Sequence, residues 1–319
     1  MVVMVYLLFI FGIYLLVKGA DYVVDSSSSI AKKLGVSSLV IGLTVVAFGT
    51  SLPELIINVM AAFKGTPEIS FGNIIGSNIA NILLVLGATA LVANVKVKSS
   101  TVWKQIPFAL LASFVFFALT TKIFFGEGDF LTWNDGLILL SLFAIFLYYM
   151  FNMAKRERRE IGLVEKVEHS NWKIAGMLIF GLIGIYFGGR WVVDGAVFIA
   201  GQLGLSEYLI SATIIAVGTS LPELVVSIIA AFRKNIDLAV GNIVGSNIFN
   251  ILWVFGIIPF IAPLKIPGFI AFDIGLMFLV TLILFIFMFV WSKHELQKKE
   301  GIVLLLLYVL YIVFLIIRG

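Results

Sequence analysis

The sequence predicts an all-α, polytopic membrane protein of ten transmembrane helices, built as two inverted five-helix repeats with broken helices at the centre. Three observations carry this expectation. Of 319 residues, 61% are hydrophobic and 13% charged, whereas charged residues make up about a quarter of ordinary soluble domains. Apolar runs of about 20 residues, the length that crosses the hydrocarbon layer, recur along the whole chain. The second half also repeats the first at a constant offset, with GTSLPE at 49–54 and again at 218–223.

Taken in order, the expected spans are 2–24, 36–63, 70–93, 103–121, 131–151, 172–198, 206–232, 238–262, 267–291 and 301–317. The first has no basic segment before it and is long enough to span, so it reads as a helix and not as a cleaved signal. The second is interrupted by the first GTSLPE, and the third holds GNIIGSNIAN at 72–81. Spans four and five are rich in phenylalanine, which reads as packing and lipid-facing bulk. The polar stretch AKRERREIGLVEKVEHSNWK at 154–173 then divides the chain. A first repeat over 1–153, a linker over 154–171 and a second repeat over 172–319 follow. The sixth span answers the first, the seventh carries the second GTSLPE, the eighth holds GNIVGSNIFN at 241–250, and the ninth and tenth close the repeat. Five spans per repeat is odd, so the second copy must cross the membrane upside down, as in many secondary transporters.

Basic residues set the orientation, because cytoplasmic loops are enriched in Lys and Arg. Alternate loops collect Lys32, Lys33, Lys96, Lys98, Lys104, Lys155, Arg156, Arg158, Arg159, Lys166, Lys173, Arg233, Lys234, Lys293, Lys298 and Lys299 on one side. The other side has Lys64, Lys122, Lys265 and Arg318. Both termini are therefore expected outside and the central linker in the cytoplasm, in a multi-pass protein of the cell membrane. The net charge of +4 reads as topology, with no nucleic-acid partner.

Gly49 and Pro53 can break the second span, because glycine tolerates unusual backbone angles and proline removes an amide donor. Carbonyls freed at such a break survive within a membrane only when buried in protein or lining a polar cavity. Thr50 with Glu54 and Ser77 with Asn81 are four residues apart and share helix faces, as do Thr219 with Glu223 and Ser246 with Asn250. Gathered at mid-membrane, these groups make an all-oxygen site with two carboxylates. Such a set suits calcium and, at similar size, sodium. Soft metals are disfavoured, since there is no cysteine and both histidines, His169 and His294, fall in loops.

Ionisable groups inside spans are usually functional, which outweighs a merely helix-bridging role for Glu54 and Glu223. Asn73, Asn78, Asn242 and Asn247 are at least as well explained as caps and interhelical links. Asp25 and Asp194 are expected to cap or pair locally. Asn58 and Ser227, four residues after their glutamates, could support them. GNIIGSN lacks the strand and lysine of a nucleotide loop. No span carries a histidine that could activate Ser51 or Ser220, which argues against a hydrolase.

GTSLPE followed by GNxxGSNxxN in both halves resembles the alpha-repeats of the cation/calcium exchanger superfamily, most closely its sodium/calcium exchanger branch with prokaryotic members. The resemblance implies a secondary active antiporter that exchanges several sodium ions for one calcium ion by alternating access, electrogenically. Its transported ions and the bilayer would be its partners, with no cofactor and no obligatory protein partner. By motif position it implies central ligands Glu54 and Glu223, joined by Thr50, Ser51, Ser77, Asn81, Thr219, Ser220, Ser246 and Asn250. Ala47 and Ala216 match positions whose carbonyls can bind sodium. Several relatives carry aspartate where Asn81 or Asn250 stands, so the asparagines leave the stoichiometry open and argue against potassium dependence. The proton/calcium branch typically has asparagine and alanine in place of Thr50 and Ser51. A proton/calcium antiporter is thus the runner-up, and a cation channel, which needs weak multi-site binding, comes after it. In the family the first and sixth spans form a mobile pair that slides over the other eight.

Overall fold

A computed structural model of the chain describes residues 2–121, 129–161, 169–204, 216–268, 270–290 and 293–318. In chain order its helices are α1 Val2–Leu34, α2 Ser38–Thr50 and α3 Leu52–Lys64, α4 Pro67–Val92, α5 Thr101–Thr121, α6 Trp133–Ile161 and α7 Asn171–Gln202. After them come α8 Ala216–Gly218, α9 Leu221–Phe232, α10 Ile236–Ile261, α11 Ile270–Phe287 and α12 Lys298–Arg318. The molecule is a polytopic helical membrane fold. Among the described residues eight helices are long and apolar enough to cross a membrane, or nine if α2 and α3 count as one bent span. The expected span 206–232 lies partly outside the described residues and is represented by α8 and α9. Two short antiparallel ladders depart from an all-helical reading. Val95–Lys96 (β1) pairs with Glu295–Leu296 (β4), and Phe130–Leu131 (β2) pairs with Leu264–Lys265 (β3).

Several boundaries differ from those read in the sequence. α1 continues ten residues past position 24, because its serines turn inward on the helix. Ser26 Oγ donates to Val23 O at 3.1 Å and Ser28 Oγ to Val24 O at 2.8 Å, satisfying polar side chains without leaving the helix. α6 likewise runs on to Ile161, so the first part of the 154–171 linker is helix. There Arg156 bonds Glu160 at 2.8 Å, and Glu157 accepts from Ser37 N at 2.8 Å and Ser37 Oγ at 3.0 Å. Glu157 is thus held against the start of α2 and is not simply solvated.

α4 and α10 form the centre, with 78% and 83% of their spanning windows buried, against 22% for α1, α6 and α12. Phe63, Phe151 and Phe180 stand on the outer surface. A soluble monomer rarely shows so broad an apolar exterior, whereas lipid requires it. α1 and α7 pack along each other through glycines. Gly12 meets Gly188 and Gly19 meets Gly181, and a Cβ on Gly19 would lie 2.7 Å from Gly181 O. Such close backbone approach is how small residues hold membrane helices together.

Loop contacts sort into two groups. Arg233, just past α9, pairs with Asp25 and with Asp21 at 2.7 Å, and Asn235 Nδ2 donates to Ser28 Oγ at 3.0 Å. Lys98 meets Asp237 at 2.6 Å, and Lys33 Nζ donates to His169 O at 2.8 Å. These contacts and the β1–β4 ladder join loops that the alternation of spans puts on one side; the β2–β3 ladder joins loops put on the other. Asp25 therefore pairs across the molecule and not locally, as the sequence had suggested. Asp194 does pair locally, with Arg190 at 3.8 Å.

Candidate ion-binding site

The centre is organised by two helix breaks. Ser51-Leu52-Pro53-Glu54 has the serine-x-x-glutamate pattern of a capping box, with proline early in the first turn where a missing N–H costs least. α2 ends at Thr50, Ser51 adopts φ −86° and ψ 4°, and α3 leaves at an angle of 41°. Pro53 cannot donate to the carbonyl of Gly49 four residues earlier, so the ladder opens there. Ser51 makes no side-chain cap, and neither does Ser220 at φ −90° and ψ 5° before α9. A capping sequence whose hydroxyl is kept off the backbone leaves that hydroxyl free for something else. Glu54 and Glu223 sit in the first turns of α3 and α9, fully buried, where free backbone N–H groups favour a carboxylate.

The two breaks meet across α4 and α10. Thr50 Oγ1 lies 3.2 Å from Ser246 Oγ, and Ser77 Oγ lies 3.1 Å from Thr219 Oγ1. Each pair joins one half of the chain to the other, and the repeat offset turns the first pair into the second. Ser77 Oγ also reaches Glu54 Oε1 at 3.4 Å. The Thr50 and Ser246 hydroxyls lie against the Glu223 carboxyl, although Thr50 donates to Asn242 Oδ1 at 3.0 Å and Glu223 has no well-formed hydrogen bond of its own.

The buried polar atoms without a partner are concentrated at this place. Ser51 Oγ, Glu54 Oε2, Asn81 Oδ1, Ser220 Oγ, both Glu223 oxygens and both Asn250 amide atoms account for eight of thirteen among the described residues. Buried polar atoms are nearly always satisfied, so such a concentration requires an explanation. Seven of the eight are oxygens, the donor set that fits a hard cation. No cluster of three or more His, Cys, Asp and Glu occurs among the described residues, so two carboxylates and neutral oxygens make up this set.

The structure links Thr50 with Ser246, and Ser77 with Thr219 and Glu54; Ser51 and Ser220 stand at the breaks ahead of Glu54 and Glu223, and Asn81 and Asn250 lie one turn beyond Ser77 and Ser246 in a common device. Asn81 opens a π-helical stretch, 81–86, and Asn250 lies in another, 249–254. Such widened turns often occur at functional sites. Asn81 Nδ2 donates to Asn247 Oδ1 at 3.0 Å, which leaves its amide oxygen unpaired. The carbonyls of Ala47 and Ala216 border the breaks. Ala47 O accepts from Ser51 N at 3.0 Å, while Ser220 N turns to Val217 O at 3.1 Å, so the two breaks are not identical.

Asn78 and Asn247 act as links: Asn247 Nδ2 donates to Asn78 O at 3.2 Å, and Asn78 Nδ2 meets the Met277 sulfur. Asn58 Nδ2 donates to Glu54 O at 2.7 Å and to Asn73 Oδ1 at 2.9 Å, and Asn58 Oδ1 accepts from Ser70. Ser70 was not singled out from the sequence. Aligning the halves gives the clue, because Asn58 and Ser70 face Ser227 and Ala239 within otherwise matching motifs. A recess of about 350 Å3, lined in part by Met60, Tyr186, Arg190, Asp194 and Pro222, extends to Thr219.

A multi-pass helical protein with a broken span and buried, unpartnered oxygens at its centre belongs with membrane ion transporters. The chain is a member of the sodium/calcium exchanger protein family, whose profile matches residues 4–152 and 173–317. It is 38% identical over 308 residues to the putative antiporter CaxA of Alkalimonas amylolytica, covering 94% of this chain and 95% of that one. It is 32% identical over 352 residues to the sodium/calcium exchanger MaX1 of Methanosarcina acetivorans, covering 99% of each. A solved structure of the sodium-calcium exchanger NCX_Mj, soaked with 2.5 mM Na+ and 0.1 mM Ca2+, superposes with a TM-score of 0.83 at 34% identity, covering 98% of this chain and 99% of that one.

Proposed function

We propose that this protein exchanges sodium for calcium across a cell membrane by alternating access, with Glu54 and Glu223 at the centre of one cage that either ion fills. The observation that carries this reading is the set of unpartnered oxygens on Ser51, Glu54, Asn81, Ser220, Glu223 and Asn250, drawn from both halves. Two ionised glutamates balance one divalent ion or two monovalent ions. Emptied, the doubly charged centre is too costly to carry through a low-dielectric interior, because desolvated charge without a counter-ion is heavily penalised. The protein therefore changes sides only when loaded, and antiport follows. Thr50, Ser77, Thr219 and Ser246 complete the ligand set, with the Ala47 and Ala216 carbonyls as added sodium ligands.

Ten spans in two inverted five-helix repeats are part of this reading. It is supported by the reciprocal hydroxyl pairs and, among the described residues, by contacts between loops assigned to the same side. Both termini then lie outside and the 154–171 linker inside. Exchange of more than two sodium ions per calcium ion makes transport electrogenic, each net charge coupling to the membrane potential by about 2.3 kcal/mol per 100 mV. The test is calcium flux into liposomes with sodium, potassium and proton gradients imposed separately. Uptake driven by outward sodium, and abolished in Glu54→Gln and Glu223→Gln, is expected. Uptake that follows a pH gradient and ignores sodium would make the protein a proton/calcium antiporter.

A further inference from the structure

The two halves hold their central hydroxyls differently, and the difference traces to one amide. Asn242 Nδ2 donates to Glu223 O at 3.4 Å and to Ser227 Oγ at 3.1 Å. A carbonyl oxygen can only accept, so this contact fixes which end of the amide faces which way. Asn242 Oδ1 must then face Thr50 Oγ1, 3.0 Å away, and receive its proton. A hydroxyl binds a cation through its lone pairs and must send its proton elsewhere. Thr50 has that outlet built in.

Thr219, the repeat mate of Thr50, is held otherwise. The residue matching Asn242 is Asn73, and its Oδ1 accepts from Asn58 Nδ2 at 2.9 Å. Asn58 also holds the Glu54 carbonyl, the task that Asn242 performs for Glu223. The two halves differ at the residue four after each glutamate, Asn58 and Ser227. Asparagine at 58 reaches both the Glu54 carbonyl and Asn73 on α4, whereas at 227 a serine accepts from Asn242 Nδ2 and Asn242 itself meets the Glu223 carbonyl. The Thr219 hydroxyl shares a proton with Ser77 Oγ at 3.1 Å, where either oxygen can donate.

We infer that Asn242 is a positioning residue for ion binding, which commits the Thr50 proton away from the cage and presets the Thr50–Glu223 side, while the Thr219–Glu54 side rearranges its protons as ions exchange. The inference rests on the reading of this centre as an ion cage. It makes a pseudo-symmetric site functionally unequal.

The test is a pair of double-mutant cycles on the full chain in liposomes, reading the half-saturating calcium concentration and the maximal rate of sodium-driven uptake. Thr50→Val and Asn242→Ala should each raise half-saturation about three- to tenfold, the size expected for one oriented hydrogen-bonding group. Their double variant should match Thr50→Val alone within about twofold, because the two act as one unit. Asn242→Asp keeps the acceptor for Thr50 and should stay sensitive to Thr50→Val. That variant also guards against Asn242→Ala failing to fold. Thr219→Val and Asn73→Ala should combine multiplicatively. Multiplicative effects in the Thr50–Asn242 cycle, or equal coupling in both cycles, would overturn the inference. Wild-type protein without sodium-driven calcium uptake would instead overturn the exchanger reading on which it stands.

Discussion

Glu54 and Glu223 are fully buried, each in the first turn of a helix that begins at a break, and neither has a basic partner among its neighbours described here. Buried carboxylates without a counter-charge are costly, and a bound cation removes that cost. The same logic governs Ser51 and Ser220, whose hydroxyls decline the cap that their sequence offers. These acids and hydroxyls were legible in the sequence because each appears twice at one offset in an otherwise apolar setting. The roles of Asn242 and Asn58 were not, because they depend on which amide end faces which neighbour. Replacing either glutamate by glutamine keeps shape and removes charge, so each single variant is expected to eliminate sodium-driven calcium flux while the protein still folds. Full flux in either one would remove the carboxylates from the mechanism.

α1 and α7 touch through backbone at Gly12–Gly188 and Gly19–Gly181, two contacts interchanged by the repeat. Gly49 and Gly218, at the two breaks, also lie against α7, meeting Leu182 and Val193. One of the two helices that the family resemblance makes mobile, α7, is thus packed directly on both breaks. Gly19→Val should destabilise the protein by about 1–3 kcal/mol through overpacking against Gly181 O, lowering the thermal midpoint in detergent. Gly72→Ala, where a Cβ would meet nothing within 4 Å, should leave the midpoint unchanged or slightly higher. Equal midpoints for the two variants would argue against the glycine seam. Span existence was clear from hydropathy, but the ends were not. α1 and α6 run on through polar residues because Ser26, Ser28 and Glu157 find partners within the protein, and the pairing of Asp25 with Arg233 links residues too far apart in sequence for local patterns to reveal.

At the scale of the whole molecule, the two sequence repeats also differ in how their ends are tied. On one side Arg233 joins Asp21 and Asp25, tying the end of α9 to α1; the matching positions on the other side are Lys64, Arg190 and Asp194, and a recess of about 350 Å3 opens there toward Thr219. That recess lies beside Arg190 and Asp194, and a second recess of about 530 Å3 lies at the other end, beside Lys33 and Asn171. Because the chain has no cysteine, Met60→Cys in the first recess gives a clean reporter. An impermeant maleimide should label it from the face opposite the 154–171 linker, and labelling only from the linker face would reverse the assignment. Partly exposed ion pairs are worth about 0–1 kcal/mol each, so Arg233→Gln should slow that labelling only a few-fold. The central claim, one cage that different ions occupy in turn, is tested most directly by calcium titration of the purified protein at increasing sodium concentrations. The account predicts that half-saturation for calcium climbs with sodium and that calcium binding disappears in Glu54→Gln and Glu223→Gln. Calcium binding that ignores sodium, or that survives in both variants, would contradict it.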